Sequence, residues 1–249
     1  STHPTAPYAS RETAAKNIQT AVNAAATGDT VQVWDGHYLL TSQISVSKAL
    51  TLPSGRGPDT TIVEGQGSVR CFSLGNTACV IEGLTITNGY SSADGGGIYC
   101  SGTTPMVTNC IFNGNSAERG GGMYKGTENN CTLSGNSASS SGGGMVNGTA
   151  KNSIIYYNSS VDGNDLRNTA ASYSCSPDGM HGVNGNITNA PMMVSSSHIA
   201  VDSPCRGAGS TNFASGTDID GEAWANPPSM GCDEPSDTTY GTIVVGIDT

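Results

Sequence analysis

Gly95-Gly96-Gly97-Ile98-Tyr99, Gly120-Gly121-Gly122-Met123-Tyr124 and Gly142-Gly143-Gly144-Met145-Val146 are three copies of one phrase, 25 (120 − 95) and 22 (142 − 120) residues apart. A second phrase alternates with it, as Asn109-Cys110-Ile111-Phe112-Asn113-Gly114-Asn115, Asn130-Cys131-Thr132-Leu133-Ser134-Gly135-Asn136 and Asn152-Ser153-Ile154-Ile155-Tyr156-Tyr157-Asn158. Leu84-Thr85-Ile86-Thr87-Asn88-Gly89 is a looser, earlier member. A period of 21 to 25 residues marks a solenoid, whose units cannot bury their apolar faces alone. Inside each unit the inward candidates alternate, as Leu84/Ile86, Cys110/Phe112, Cys131/Leu133 and Ser153/Ile155, which is the period of a strand. Gly and Asn are too frequent over 60–160 for helices to survive, and both tolerate the left-handed backbone that sharp corners need. The regular leucine spacing of leucine-rich repeats is absent. Each coil is therefore expected to hold at least two strands, stacked parallel on its neighbours about 4.8 Å apart. The fold class is all-β, a parallel β-helix, with the right hand that parallel crossovers favour.

Outward from this centre the pattern changes. Ala14, Ala15, Ile18, Ala21, Val22 and Ala25 recur at helical spacing before Gly28-Asp29, so a helix over 11–27 is expected to cap the open end, where unpaired strand edges invite aggregation. Strands are expected at Val31–Trp34, Ile44–Val46, Leu50–Leu52 and Thr61–Val63. Past Asn158 the repeat decays into Ser, Asp, Asn and Gly. The expected organisation is one β-helix domain over 1–235, with regular coils over 60–160 and atypical terminal coils over 161–235. Residues 236–249 read as a linker or the start of a following domain, since Thr239–Thr249 resumes a β-like pattern.

Composition narrows the partners. The 249 residues include 34 Gly, only 12% charged residues and 6% aromatic ones, with a net charge of −10. Disorder normally carries high net charge and few β-branched residues, whereas Val, Ile and Thr recur here in blocks. The acidic balance and the absence of a basic stripe exclude nucleic acid as a partner. No apolar run approaches the roughly 20 residues of a membrane span. The eight cysteines form no C-x-x-C pair and no zinc-ligand spacing with histidine, so structural roles in an exported, extracellular or cell-surface protein are expected. Cys110 and Cys131 occupy equivalent positions (131 − 110 = 21) and should stack as buried thiols. As an isolated domain the chain is expected to be a monomer.

Three groups of residues carry a resemblance. Ala14-Ala15-Lys16-Asn17-Ile18-Gln19, Ala25-Ala26-Thr27-Gly28-Asp29-Thr30-Val31 and Trp34-Asp35-Gly36-His37-Tyr38 resemble the N-terminal cap of pectate-lyase-like β-helix proteins. The Gly-Gly-Gly corners, alternating with Phe112-x-x-Asn115, Leu133-x-x-Asn136 and Ile155-x-x-Asn158, are similar to polymorphic outer membrane protein repeats. Asp202-Ser203-Pro204-Cys205, Thr217-Asp218-Ile219-Asp220-Gly221 and Met230-Gly231-Cys232-Asp233-Glu234 look like the closing end of large bacterial surface β-helix proteins that carry sorting anchors. The resemblance implies an extracellular structural or recognition module, or alternatively a polysaccharide lyase or glycoside hydrolase. Fold alone does not separate these. It also places Cys205 and Cys232 on neighbouring terminal coils, which implies a disulfide between them.

The residues for either function can be named. Stacked coils would present Tyr99, Glu118, Arg119, Tyr124 and Lys125 on one side, as contacts for a polysaccharide or cell-surface glycan. An enzyme would use Asp94, Glu118, Arg119 and Lys125. Repeat alignment puts Asp94 one coil from Arg119 and then Ser141, an exposed ion pair rather than the facing carboxylates of a glycosidase. The segment Val161–Ile199 is the one place from which Asp162, Asp165, Arg167, Asp178 or His181 could reach the flank. Asp218 and Asp220 resemble part of a calcium loop without its full ligand set, so a structural or capping role is expected there and no cofactor, with calcium as the alternative. His3, His37, His181 and His198 are scattered, with no Ser or Cys partner legible from spacing.

Overall fold

The computed structural model describes residues 8, 10–75, 78–179 and 181–235. The expected linker over 236–249 and His3 lie outside the described residues. The chain forms a right-handed parallel β-solenoid of about six turns. Three parallel sheets of six strands make its walls, and Ser116–Arg119 pairs with Ser137–Ser141 as a fourth strand in two coils, where the sequence required at least two strands per coil. The first sheet contains Gly36–Leu39, Thr61–Glu64, Thr85–Thr87, Ile111–Asn113, Thr132–Ser134 and Ile154–Ile155. The second contains Ile44–Val46, Phe72–Leu74, Ile98–Cys100, Met123–Tyr124, Met145–Val146 and Leu166–Arg167. The third contains Thr51–Pro53, Val80–Glu82, Met106–Thr108, Thr127–Asn129, Thr149–Lys151 and Ala170–Ser172. No helix among the described residues is long and apolar enough to cross a membrane.

The strands are two to five residues long because the corners come so soon. Asn109, Asn130 and Asn152 turn the chain from the third sheet into the first with φ of 49°, 50° and 47°, a conformation that Asn adopts at little cost. The Gly-Gly-Gly phrases answer a different need. A Cβ on Gly121 would lie 2.2 Å from the Ser137 carbonyl oxygen of the next coil, so close coil-to-coil approach demands glycine there.

Inward residues stack in register. Tyr38, Val63, Ile86, Phe112, Leu133 and Ile155 form one ladder, and Ile44, Phe72, Ile98, Met123, Met145 and Leu166 a second. The third runs Leu52, Ile81, Val107, Glu128, Ala150, Ala171. Glu128 is fully buried in this line, and neither carboxyl oxygen has a hydrogen-bond partner. At a fourth interior edge Asn115, Asn136 and Asn158 stack directly. Asn115 Nδ2 donates to Asn136 Oδ1 (2.9 Å), and Asn136 Nδ2 donates to Asn158 Oδ1 (2.9 Å). Asn158 Nδ2 in turn donates to Asp165 Oδ1 (2.7 Å), which ends the ladder.

All eight cysteines are free, buried thiols. Cys110 and Cys131 interact side chain to side chain, as their equivalent positions predict. Burial pushes the Cys79 thiol up to about 11 and Cys71 to about 12. Since the thiolate is the reactive form, a disulfide-exchange reagent at mildly alkaline pH should leave the native protein untouched and titrate eight thiols after unfolding. Rapid native labelling of Cys110 and Cys131 would contradict this packing.

Both ends depart from expectation. The cap helix is Ile18–Ala24, shorter than 11–27. Asn17 ends it by accepting the Thr20 N–H on its side chain (2.8 Å), while Ser10 and Thr13 bond each other's backbone in a separate turn, the usual competition of Ser, Thr and Asn with helix. The helix still does the capping. Gln19 meets the first rung of the second sheet with both amide atoms, accepting from Ser45 N–H (2.6 Å) and donating to Ser45 O (3.2 Å).

The C-terminal segment stacks on the coils as far as Ile187, through Leu166–Arg167, Ala170–Ser172 and the bridge of Cys175 to Ile187. After Cys175 and Ile187, which still pair in parallel, it folds back along the outside. Ser210 exchanges two hydrogen bonds with the Asn152 side chain (both 2.8 Å), Asn129 donates to Phe213 O, and Asn109 Nδ2 donates to Thr217 O (3.0 Å). This strap therefore crosses coil after coil toward the N-terminal end. It then returns over the first sheet, where Gly231 N–H donates to Asn152 O (2.7 Å) and Cys232 N–H to Thr132 Oγ1 (3.2 Å). Ile111 packs with Ile219 and Cys232, and Ile154 with Cys175, Ile199, Cys205 and Met230. The bridge expected between Cys205 and Cys232 is thus not the arrangement present. Cys205 lies against Cys175, whereas Cys232 Sγ is 3.1 Å from Thr132 Oγ1 in a separate cluster.

Candidate functional site

The outward positions of the second sheet run Ser45, Ser73, Tyr99, Tyr124, Val146 and Arg167. The flank therefore gathers Tyr99, Tyr124, Arg119, Lys125 and Asp94, as repeat alignment implies. The two tyrosine rings stack with centroids 5.7 Å apart and planes 5° from parallel. Arg70 lies 5.1 Å over Tyr99, while Arg119 and Lys125 lie 5.4 and 5.5 Å from the Tyr124 ring. The ring faces are thus taken by each other and by cations. Tyr124 is only 7% exposed, so the expectation that it touches a ligand gives way to a supporting role under Tyr99. Arg70, which sequence reasoning missed, also donates to the carbonyls of Asp94 and Gly95 (both 2.8 Å).

Charge on this flank alternates instead of converging. Arg119 Nε and Nη2 donate to the two oxygens of Asp94 (2.7 and 3.0 Å). One coil on stands Ser141, then Asp162, which accepts from Arg167 Nε (2.7 Å). Glu118 is exposed on the strand that carries Arg119. The other residues named from Val161–Ile199 do not reach the flank. Asp165 closes the Asn ladder, Asp178 Oδ2 accepts the N–H groups of Asp165 and Leu166 (2.6 and 3.0 Å), and His181 Nδ1 accepts from Thr188 N–H (3.3 Å). Burial raises Asp165 to about 6 against the hydrogen bonds from Asn158, a consequence of ending a buried ladder on a carboxyl.

The closing strap holds a second cluster. Asp218, Asp220 and Asp233 bring carboxylate oxygens within 4.8 Å of one another, and Asp59, His198 and Asp220 do likewise. Asp218 Oδ1 accepts from Asp220 and Glu222 N–H (3.0 and 2.8 Å), and its Oδ2 from Glu234 N–H (3.0 Å). Asp220 Oδ2 pairs with His198 Nε2 at 2.9 Å. These oxygens are committed to a hydrogen-bonded turn, and the set falls short of the six to eight oxygens that calcium takes. Sequence spacing set Asp220 beside Asp218 but paired neither with His198, because the strap brings His198 and Asp220 together across 22 residues.

A cleft of about 830 Å³ opens at the N-terminal end, between the cap and the outermost rung, with Arg11, Asp29, Trp34, Asp35 and Tyr38 in its lining. Arg11 lies 5.0 Å over the Trp34 ring and 3.6 Å from Asp35.

No protein-family model matches the chain, and searches of curated proteins and of solved structures likewise find no match. The architecture stands on the geometry above.

Proposed function

We propose that the chain is an extracellular structural and recognition arm of a large bacterial surface protein, pectate-lyase-like in its β-helix, which holds glycans along the flank of the second sheet without cleaving them. The observation that carries this reading is the bidentate Asp94–Arg119 pair beside the Tyr99–Tyr124 stack. Cleavage of a glycosidic bond uses two carboxylates facing each other across the bond, about 5 to 9.5 Å apart. Here the rungs place a carboxylate, a guanidinium, a hydroxyl and a carboxylate in sequence, already paired. The edge of Tyr99, with Glu118, Arg119 and Lys125, offers donors and acceptors suited to sugar hydroxyls.

The test is a panel of plant, algal and bacterial polysaccharides, scored for retention on the immobilised protein and for release of unsaturated or reducing ends. Retention is expected without release, and Arg119→Ala with Lys125→Ala should weaken retention. Cleavage that disappears in Asp94→Ala/Arg119→Ala/Lys125→Ala, with the fold intact, would replace this reading by a lyase or hydrolase.

A further inference from the structure

The turn Ser195–His198 and the strap residue Asp220 place a hydroxyl, an imidazole and a carboxylate in line. Ser195 is exposed, and four groups meet its Oγ, one of them Ser197 Oγ at 3.1 Å. The backbone N–H groups of Ser197 and His198 donate to it (3.2 and 3.0 Å), and His198 Nδ1 stands 3.0 Å away. On the other side of the ring Nε2 lies 2.9 Å from Asp220 Oδ2. When Asp220 holds the Nε2 proton, the lone pair stays on Nδ1 and faces the hydroxyl. Ser197 Oγ is also 2.7 Å from Nδ1, but Ser197 is 4% exposed, so a solute meets Ser195.

We propose that Ser195 is the nucleophile of an acyl-transfer site, with His198 as its general base and Asp220 as the residue that positions the imidazole. The substrate class is carboxylic esters, approached from an open surface. This activity is independent of glycan retention on the flank. Ser195 Oγ gives its proton to Nδ1 as it bonds to the ester carbonyl carbon. The carbon–alkoxy bond then breaks, and the departing alcohol takes the proton from the imidazolium. Water, deprotonated by the same nitrogen, then attacks the acyl carbon; the carbon–Oγ bond breaks, Ser195 Oγ takes the proton back from the imidazolium, and the acid leaves. The roles match hydroxyl–imidazole–carboxylate chemistry with the two ring nitrogens exchanged, since such sites are defined by geometry and role. The N–H groups of Ser197 and His198 hold Oγ in place beside the imidazole.

His198 also faces Asp59 from the loop before the strand Thr61–Glu64 and Asp233 from the returning strap. Burial pulls its proton affinity down, but the Asp220 hydrogen bond and the charges of Asp233, Asp220 and Asp59 outweigh this, and the net direction is up. Reactivity should therefore climb with pH over a range displaced upward from that of a free imidazole.

The test treats the whole chain with a fluorophosphonate and, separately, with p-nitrophenyl acetate, and maps adducts by mass spectrometry. One adduct on Ser195 is expected, with a burst of nitrophenol. Ser195→Ala and His198→Gln should each lower the rate on the order of 100-fold, in the range of general-base effects. The adduct should stay on Ser195 in Ser197→Ala, and Asp220→Asn should move the pH profile to lower pH. Protection of the eight thiols checks that each variant is folded. Labelling of Ser195 no faster than in the denatured chain, loss in Ser197→Ala alone, or equal labelling in His198→Gln would overturn the assignment and leave a hydrogen-bonded turn only.

Discussion

Replacing Glu128 with Leu should make the protein several kcal/mol more stable at pH 8 and clearly less so at pH 5. Glu128 occupies an aliphatic ladder between Val107 and Ala150, fully buried and without a partner for either oxygen. Burial raises it from 4.5 to about 8, because a carboxylate there would lack both water and a cation. The sign follows from proton linkage. Below pH 4.5 folded and unfolded chains both hold the proton, and the full stability is present. Between 4.5 and about 8 the unfolded chain releases it while the folded chain keeps it, so stability falls as pH rises. Above that window the loss levels off, at a magnitude on the order of 4 kcal/mol. Leu removes both this loss and the cost of the neutral carboxyl without a partner. Gln keeps a polar group but cannot ionise, so Glu128→Gln should flatten the pH dependence with little gain at acid pH. Urea midpoints across pH 4.5 to 9 measure this, and parallel curves for the wild type and Glu128→Gln would show that Glu128 is not the titrating group.

Asn136→Ala should cost about 3 kcal/mol, against less than about 1 kcal/mol for Asn113→Ala on the outer face of a neighbouring strand. The Asn136 side chain accepts from Asn115 N–H and Nδ2 (3.1 and 2.9 Å) and donates to Asn158 Oδ1 and Phe112 O (2.9 and 3.0 Å). Alanine leaves two buried donors on Asn115 without that acceptor, and buried polar groups left unpaired carry the full desolvation penalty. Asn113 makes one side-chain bond, to Ser134 O (3.1 Å), at a partly exposed position. Chemical denaturation of both variants decides the matter. Equal costs would mean that the interior ladder adds nothing beyond an ordinary surface contact.

Alternation and corner residues made the coils legible in the sequence, since Gly-Gly-Gly and Asn recur where coil contact or positive φ demands them. The period was too irregular near the first coils to reveal strands such as Phe72–Leu74 and Val80–Glu82. The strap was not legible, because it repeats nothing. One signal did point to it. Cys110-Ile111-Phe112 and Ser153-Ile154-Ile155 carry apolar residues on adjacent, oppositely facing positions, and a strand apolar on both faces is covered on both. The Tyr99–Tyr124 flank followed from register alone, whereas its closure by Arg70 did not. Ser195, His198 and Asp220 meet only through the strap, so no spacing could announce them.

Solenoids ordinarily grow and shrink by whole repeats, since each unit touches only its neighbours and stability is a sum of local terms. The strap removes that freedom here. It is anchored at Asn152, Asn129 and Asn109 in turn, so it works as a ruler laid against the stack. Deleting or duplicating one coil would slide every anchor by about 4.8 Å and unseat the ruler along its whole length. The coils from Asn109 to Asn152 are thereby tied to one another, and they should unfold together instead of one repeat at a time.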